Sequence, residues 1–207
     1  MATEQRSILI TGCSSGIGLD AARTLKARGW RVLATARAPD DLETLRRIEG
    51  VEALPLELGD PTSVATCAVT ALDLTGGRLD AIFNNAAFGQ PGAIEDLTPA
   101  VLREQFEVNF FGTHDLTRRI IPAMRRNGQG RIVQCSSVLG LIPVPYRGAY
   151  CASKFALEAL SDAMRQELTG TGIRVSIIEP GPIRSRFVET ALNHLLTRID
   201  IEASPHR

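Results

Sequence analysis

The sequence is poor in the features that mark specialised classes of protein. It has only four cysteines in 207 residues and no CxxC pair, which excludes a disulfide scaffold and predicts reduced thiols in a cytoplasmic protein. Acidic and basic residues balance at 23 each, so no nucleic-acid partner is expected. No apolar run approaches the roughly 18 residues that span a bilayer, and no apolar signal segment opens the chain. The three histidines lack metal-ligand spacing, so no metal site is predicted.

Short apolar runs alternate with helical patterns along the chain. The runs predict strands, and the intervening segments carry apolar residues at helical spacing. Strands separated by helices form parallel sheets that are covered on both faces. We therefore expect one α/β domain over residues 1–207, a doubly wound Rossmann fold with six or seven parallel strands and a short C-terminal, substrate-side segment from about residue 182. The expected strands cover residues 7–11, 31–36, 51–58, 79–84, 131–136 and 174–178.

A glycine-rich loop, TGCSSGIG, follows the first expected strand and leads into a helix. Such a turn lets the backbone approach a pyrophosphate, and the helix N-terminus adds free amides. The same letters also fit the G-x-S-x-G turn of hydrolases, with Ser14 as the nucleophile. That alternative leaves Gly18 unexplained and finds only His194 and His206 late in the chain. The loop therefore predicts dinucleotide binding, with contacts from Gly12, Ser14, Ser15, Gly16, Ile17 and Gly18.

The residue after the second strand of such a unit selects the cofactor. An acid there binds the ribose 2′-hydroxyl of NAD, whereas an arginine accommodates the 2′-phosphate of NADP. This chain has Ala36-Arg37 at that place, and the acids that follow, Asp40 and Asp41, are interpreted as caps of the next helix. Arg37 therefore predicts NADP(H) as the cofactor, the alternative being a solvated surface arginine.

A tyrosine and a lysine one helical turn apart form the candidate catalytic pair. Tyr150 and Lys154 lie four residues apart, so they share one face of a helix. A tyrosine with a pKa near 10 is a poor acid–base catalyst at neutral pH unless a cation favours the phenolate, and Lys154 would supply that cation. Ser137 follows the fifth strand, at the sheet edge where doubly wound folds bind ligands. Ser137 and Tyr150 are therefore expected to converge on one substrate oxygen.

Together these motifs resemble the short-chain dehydrogenase/reductase family. The segments YCASKFALEALSDAMRQEL and IIEPGPIRSRF are similar to members that act on retinoids, hydroxysteroids and lipophilic aldehydes, bacterial NADP-dependent aldehyde reductases included. The resemblance implies an NADP(H)-dependent oxidoreductase that acts on a small apolar aldehyde, ketone or alcohol. Its motifs run in the family's order from residue 7 to about 187: TGCSSGIG, Asn84-Asn85-Ala86, EVNFFGT with Asn109, CSSVLG with Ser137, Tyr150-Cys151-Ala152-Ser153-Lys154, and Pro180-Gly181.

The resemblance also implies a role for each matching residue. Tyr150 would protonate the carbonyl oxygen, and Ser137 would hydrogen-bond the same oxygen. Lys154 would hold the nicotinamide ribose and lower the pKa of Tyr150, and Asn109 would place a water that passes protons to Lys154. The remaining implied cofactor contacts are Glu57 and Leu58 near the adenine, Asn85 and Ala86 near the adenosine ribose, and Pro180, Gly181 and Ile183 near the nicotinamide carboxamide.

Three features depart from the family's pattern. Ala87 stands where the family has glycine, and Glu57 stands where it usually has aspartate. The stretch after Gly181 is short by the family's standard, so we expect it to be mobile beyond about Ser185. The alternative from another functional class is therefore a nucleotide-binding module without turnover.

The helix that begins at Tyr150 is also expected to pair copies of the chain. One of its faces carries small and apolar residues that would otherwise meet water: Ala152, Phe155, Ala156, Ala159 and Ala163. Small residues let two helices approach closely, and the resemblance implies two-fold pairing through this helix. We expect a homodimer or homotetramer, the alternative being that another helix of the same chain covers this face.

Overall fold

Six strands form one parallel sheet in the computed structural model, which describes residues 5–48 and 50–206. They are β1 (Ser7–Ile10), β2 (Arg31–Ala36), β3 (Val51–Pro55), β4 (Ala81–Asn84), β5 (Gly130–Cys135) and β6 (Ile173–Ile178). Their spatial order is β3-β2-β1-β4-β5-β6, and every neighbouring pair is parallel. Strand addition reverses between β1 and β4, so their carboxyl ends frame the crevice in which doubly wound folds bind ligands. The predicted fold is confirmed with six strands; the described residues contain no seventh. Residues 1–4, on which the expected absence of a signal segment partly rests, lie outside the described range.

The third strand is shorter than its apolar pattern indicates. The sequence predicts a strand over residues 51–58, but β3 ends at Pro55. Pro55 cannot donate to a neighbour, and β3 lies at the edge of the sheet as that residue requires. Leu56 and Leu58 continue the apolar pattern because both are buried in the core, not because they extend the strand.

Helices cover both faces of the sheet. They are α1 (Gly16–Ala27), α2 (Pro39–Arg46), α3 (Pro61–Leu74), α4 (Pro99–Phe106), α5 (Thr113–Arg126), α6 (Gly148–Glu167) and α7 (Phe187–Arg198), with short 3₁₀ turns at Ile94–Asp96 and Val138–Gly140. Asp60 and Thr98 cap α3 and α4 as predicted, accepting hydrogen bonds from Thr62 N and Val101 N. The prediction that Asp40 or Asp41 caps α2 is wrong. Ala38 holds the cap position, and the Asp41 carboxylate pairs with a distant arginine instead.

A π-helical segment interrupts the long helix that the sequence predicts between Thr98 and Asn127. Residues Glu107–Gly112 form it, between α4 and α5. Gly112 lies so close to the chain after β3 that an added Cβ would stand 2.0 Å from Leu58 O. The wider turn therefore occurs where the helix passes another backbone, and such segments often mark functional sites.

Apolar side chains fill the space on both sides of the sheet. Leu9 and Leu33 belong to the cluster formed with α3, α5 and α6, whereas Ile8 and Ile10 belong to the cluster formed with α1 and α2. This double burial explains why the strands read as nearly continuous apolar runs. All four cysteines are buried free thiols, and burial raises the pKa of Cys13 to about 12, so its thiol stays protonated.

Candidate active site

The glycine-rich loop is fastened to the end of β4 by Thr11 and Asn85. Thr11 Oγ1 accepts hydrogen bonds from the backbone N–H groups of Asn85 and Ala86, each at 2.9 Å. In return, Asn85 Nδ2 donates to Thr11 O at 3.0 Å and to Gly12 O at 3.1 Å. The Asn85 amide N–H groups are therefore engaged in shaping the loop. Sequence reasoning missed Thr11, although its place between β1 and the first glycine is a usable signal.

Three glycines of this loop have no room for a side chain. Gly12 and Gly16 adopt positive φ angles of 70° and 55°, which favour glycine. A Cβ on Gly18 would stand 2.3 Å from Gly12 O, and one on Gly12 would stand 2.8 Å from Ala86 Cα. Glycine is therefore required at these three positions, as it is in the tight turn before a pyrophosphate-binding helix.

The start of α1 offers unpaired amide donors to an anion. The first N–H groups of a helix have no partner within the helix, and the Ser15 side chain at the cap makes no hydrogen bond to them. Their partial positive charge favours phosphate. A dinucleotide pyrophosphate fits these residues. The hydrolase alternative for Ser14 loses support, because His194 stacks on Phe88 and His206 pairs with Glu95.

Arg37 lies at the end of β2 with its side chain 76% exposed. Its Nη1 is 3.4 Å from Glu57 Oε2, while Glu57 Oε1 accepts a hydrogen bond from Gly59 N at 3.1 Å. A cation is therefore available here, with a carboxylate from the segment after β3 beside it. The Leu58 side chain points into the core instead, so this residue has only its backbone to offer to a ligand.

Ser137, Tyr150 and Lys154 come together at the carboxyl end of β5. The Ser137 hydroxyl lies beside that of Tyr150, where it lowers the pKa of Tyr150, and Ser137 Oγ accepts a hydrogen bond from Leu139 N at 3.1 Å. The Lys154 ammonium lies 5.6 Å from the centre of the Tyr150 ring and donates to Cys135 O at 2.7 Å. The expected convergence of the two hydroxyls is present in the structure.

Burial dominates the acid–base properties of this group. It raises the pKa of Tyr150 to about 12, and the hydrogen bond from Ser137 opposes only part of that effect. Burial also lowers the pKa of Lys154 to about 8, against the favourable charges of Cys135 and Glu158. The structure thus differs from the expectation that Lys154 lowers the pKa of Tyr150. At neutral pH both groups carry their protons, so Tyr150 is a proton donor rather than a phenolate.

Asn109 fastens the π segment to two neighbouring elements. Its Oδ1 accepts from Phe88 N at 3.1 Å, and its Nδ2 donates to Phe88 O at 2.9 Å and to Ser153 Oγ at 3.2 Å. Ser153 Oγ in turn donates to Tyr150 O at 2.8 Å. Asn109 is 1% exposed, and both its N–H groups are used. In this structure its side chain therefore positions the backbone beside Tyr150.

Helix α7 lies over the carboxyl ends of the strands. Its first residue, Phe187, packs edge-on against Tyr150 with ring centres 5.4 Å apart, and a Cβ on Gly89 would stand 3.1 Å from the Phe187 ring. Farther along, His194 stacks on Phe88 at 4.7 Å. The helix predicted from apolar spacing after Gly181 is thus present, and aromatic contacts fasten it.

The segment that leads to α7 passes the turn that follows Ser137. Pro180 O accepts a hydrogen bond from Val138 N at 3.1 Å, which ties the segment to the turn after Ser137. Gly181 and Ile183 are exposed beyond it. Pro180 is therefore placed beside the turn after Ser137, and the contacts implied for these three residues stay predictions.

The described residues also bear on whether the chain holds a metal site or a membrane-spanning helix. No group of three or more His, Cys, Asp or Glu side chains among them is arranged to hold a metal ion. Of the helices in that same part of the chain, none is long and apolar enough to cross a membrane.

This chain is similar in sequence and in structure to known proteins. An uncharacterized oxidoreductase of Escherichia coli K12, YbbO, is 53% identical over 185 residues, which are 89% of this chain and 68% of that protein. Human retinol dehydrogenase 8 is 39% identical over 90% of this chain, and the match spans 62% of its own length. The crystal structure of a metagenomic short-chain oxidoreductase in complex with NADP superposes with a TM-score of 0.80 at 34% identity, covering 86% of this chain and 82% of that one.

The family profile described as short chain dehydrogenase matches residues 6–195, almost the whole chain. That range includes the glycine-rich loop, the group formed by Ser137, Tyr150 and Lys154, and most of α7. With the parallel sheet and the strand order given above, the match shows that this chain belongs to the short-chain dehydrogenase family of oxidoreductases.

Proposed function

We propose that this protein is an NADP(H)-dependent oxidoreductase that interconverts the carbonyl and alcohol groups of small apolar substrates. The observation that carries the proposal is the meeting of the Ser137 and Tyr150 hydroxyls beside the Lys154 ammonium. This group stands at the carboxyl end of the sheet, where the glycine-rich loop also lies. A nucleotide-binding module would need the loop and not the hydroxyl pair.

The residues divide the chemistry of carbonyl reduction between them. A bound nicotinamide dinucleotide supplies the hydride. Tyr150, whose pKa is raised to about 12, holds the proton that the new hydroxyl group needs, and Ser137 donates a hydrogen bond to the same oxygen as its charge develops. The buried Lys154 ammonium keeps a positive charge beside the phenol and would hold the nicotinamide ribose. In the oxidative direction Tyr150 would first have to lose its proton, and its phenolate would then accept the proton of the alcohol.

The cofactor would be held along the carboxyl edge of the sheet. The backbone of Gly12, Gly16 and Gly18, with neighbouring Ser14, Ser15 and Ile17, would take the pyrophosphate. Arg37 supports NADP(H) over NAD(H), because it supplies a cation at the end of β2. The other expected contacts stay proposals: Glu57, Leu58, Asn85, Ala86, Pro180, Gly181 and Ile183.

An apolar substrate is supported by the surface beside Tyr150. Aliphatic side chains stand exposed on the loop that joins the turn after Ser137 to α6, and on the segment before α7: Leu141, Ile142, Val144 and Ile183. Exposed clusters of this kind mark binding surfaces more often than isolated apolar residues do. A relative named for retinol, an apolar alcohol, agrees with this substrate class. The cytoplasmic location stays a prediction.

An absorbance assay tests the proposed function. The protein is mixed with NADPH and a series of aldehydes and ketones of increasing apolar length, and the loss of the reduced nicotinamide band is followed. We expect turnover that improves with apolar length. Cofactor binding without turnover on any member, or with any alcohol and NADP⁺, would favour the nucleotide-binding module instead.

We also expect α6 to form the contact between two copies of the chain. The face predicted for pairing is open in the monomer: Phe155 is 42% exposed, and Ala152, Ala159 and Ala163 are exposed as well. Most of this face is thus open in the described part of the chain, although Ala156 is half-buried, which supports pairing over cover by a helix of the same chain. Ala159→Glu should convert a homodimer or homotetramer into smaller species in sedimentation velocity, because it buries a charge at the contact. Ala100→Glu, at an exposed position of α4, is the control; a monomeric parent protein would contradict the prediction.

A further inference from the structure

Arg186 connects the segment before α7 to the glycine loop at the other end of the chain. Its Nη2 donates to Ser14 O at 2.7 Å, across 172 residues of sequence, and lies 3.2 Å from Asp41 Oδ1, across 145 residues. The neighbouring Ser185 lies against the loop as well, since a Cβ on Gly16 would stand 2.9 Å from Ser185 Cβ. The guanidinium is therefore held at the start of α1.

The loop itself contributes no positive side chain to this place. None of the residues from Thr11 to Gly18 is lysine or arginine. The cation beside the first amides of α1 comes instead from Arg186, whose side chain is 54% exposed. Amide donors and a guanidinium together form a far stronger site for phosphate oxygens than the amides alone.

Arg186 also has donors to spare. A guanidinium carries five N–H groups, and both contacts recorded among the described residues use the same nitrogen, Nη2. The groups on Nε and Nη1 remain for a second acceptor. An anion arriving at the loop could therefore be bound by Arg186 without breaking its hydrogen bond to Ser14 O.

Asp41 has the opposite effect on an arriving phosphate. Its carboxylate is 29% exposed beside the same guanidinium, so it repels a second anion and competes for the arginine. The carboxylate is well suited to holding Arg186 in place while no phosphate is bound. The two side chains should therefore change phosphate affinity in opposite directions when each loses its charge.

We infer that Arg186 is a phosphate-binding residue of the dinucleotide site, held ready by Asp41, which competes with the phosphate. This inference rests on the proposed function, because it names a further residue for the same cofactor. The phosphate is either the pyrophosphate or the 2′-phosphate. NADH carries the pyrophosphate but not the 2′-phosphate, so its binding distinguishes the two. Sequence reasoning gave Arg186 no role, since its partners are distant in the chain.

Isothermal titration of NADPH and NADH into single-residue variants tests the inference by binding alone. We expect Arg186→Gln to weaken NADPH binding by about 10- to 150-fold, the range for a charge-assisted hydrogen bond. If the variant binds NADH more weakly by the same factor, the contact is to the pyrophosphate. If its affinity for NADH is unchanged, the contact is to the 2′-phosphate. Asp41→Asn should tighten binding by a few-fold, and Arg186→Lys should restore part of the loss.

Arg184→Gln is the matched control, with the same loss of charge two residues away on the same segment. The inference is overturned if Arg186→Gln binds like the parent, or if Arg184→Gln weakens binding equally, since the effect would then be one of net charge. It is also overturned if Asp41→Asn and Arg186→Gln weaken binding alike, because that is the result for a purely structural tie. A parent protein that binds neither dinucleotide would instead overturn the proposed function, and the inference with it.

Discussion

Tyr150→Phe is expected to bind NADPH as tightly as the parent protein and to reduce carbonyl substrates about 10²–10⁴-fold more slowly. The substitution removes the hydroxyl that Ser137 contacts and leaves the ring in place against Phe187. Since the pKa of Tyr150 is raised to about 12, this hydroxyl carries a proton throughout the neutral range, and no other group in its contacts replaces it as the donor. Turnover and cofactor affinity should thus separate, as seen by absorbance and by titration.

The second tyrosine of the chain provides a matched control. Tyr146 lies four residues before Tyr150 and is 54% exposed. Tyr146→Phe makes the same chemical change outside the Ser137 contact, so we expect the parent rate. A near-parent rate for Tyr150→Phe would reject the assignment of the proton donor.

Arg37→Asp is expected to invert the cofactor preference. In the parent protein we expect NADPH to bind more tightly than NADH, because a charge-assisted contact to phosphate contributes about 1.5–3 kcal/mol, or roughly 10- to 150-fold. The exposure of Arg37 and its pair with Glu57 place the preference near the lower end of that range. In the variant the carboxylate repels the 2′-phosphate and can accept hydrogen bonds from a free ribose.

Dissociation constants for both dinucleotides, measured at low and high salt, check this result. The parent preference should shrink as salt is added, since the contact is exposed to solvent. Arg47→Asp provides the control, because Arg47 is equally exposed at the end of α2 and distant from the loop in sequence. Equal affinity of the parent protein for the two cofactors would contradict the prediction.

Local patterns were sufficient to predict the sheet and the catalytic helix. Each buried strand is a short apolar run. Helix starts carry local signals, such as the N-cap residue and following proline in Asp60-Pro61 and Thr98-Pro99. The pair Tyr150 and Lys154 needed only helical spacing to be placed on one face. The positions of strand ends follow from the parallel order, so the meeting of Ser137 with Tyr150 could be anticipated.

The remaining contacts depend on segments that are far apart in the chain. Asp41 pairs with Arg186, 145 residues away, and α2 begins before it at Pro39. The sequence around Asn109 gives no sign that its side chain hydrogen-bonds to the backbone of Phe88. The pKa of Tyr150 could not be inferred from Lys154 alone, because desolvation depends on everything packed around the phenol.

The π segment limits how the length of the chain can change between α4 and α5. Each residue of an α-helix turns the chain by about 100°, and Glu107–Gly112 carries one residue more per turn than an α-helix can hold. Deleting one residue there would restore ordinary spacing, but it would turn either Asn109 away from Phe88 or the buried face of α5 away from the sheet. A single insertion would do the same in the opposite sense. Homologues that keep both contacts should therefore align through this stretch without gaps, even where the side chains around Phe111 differ freely.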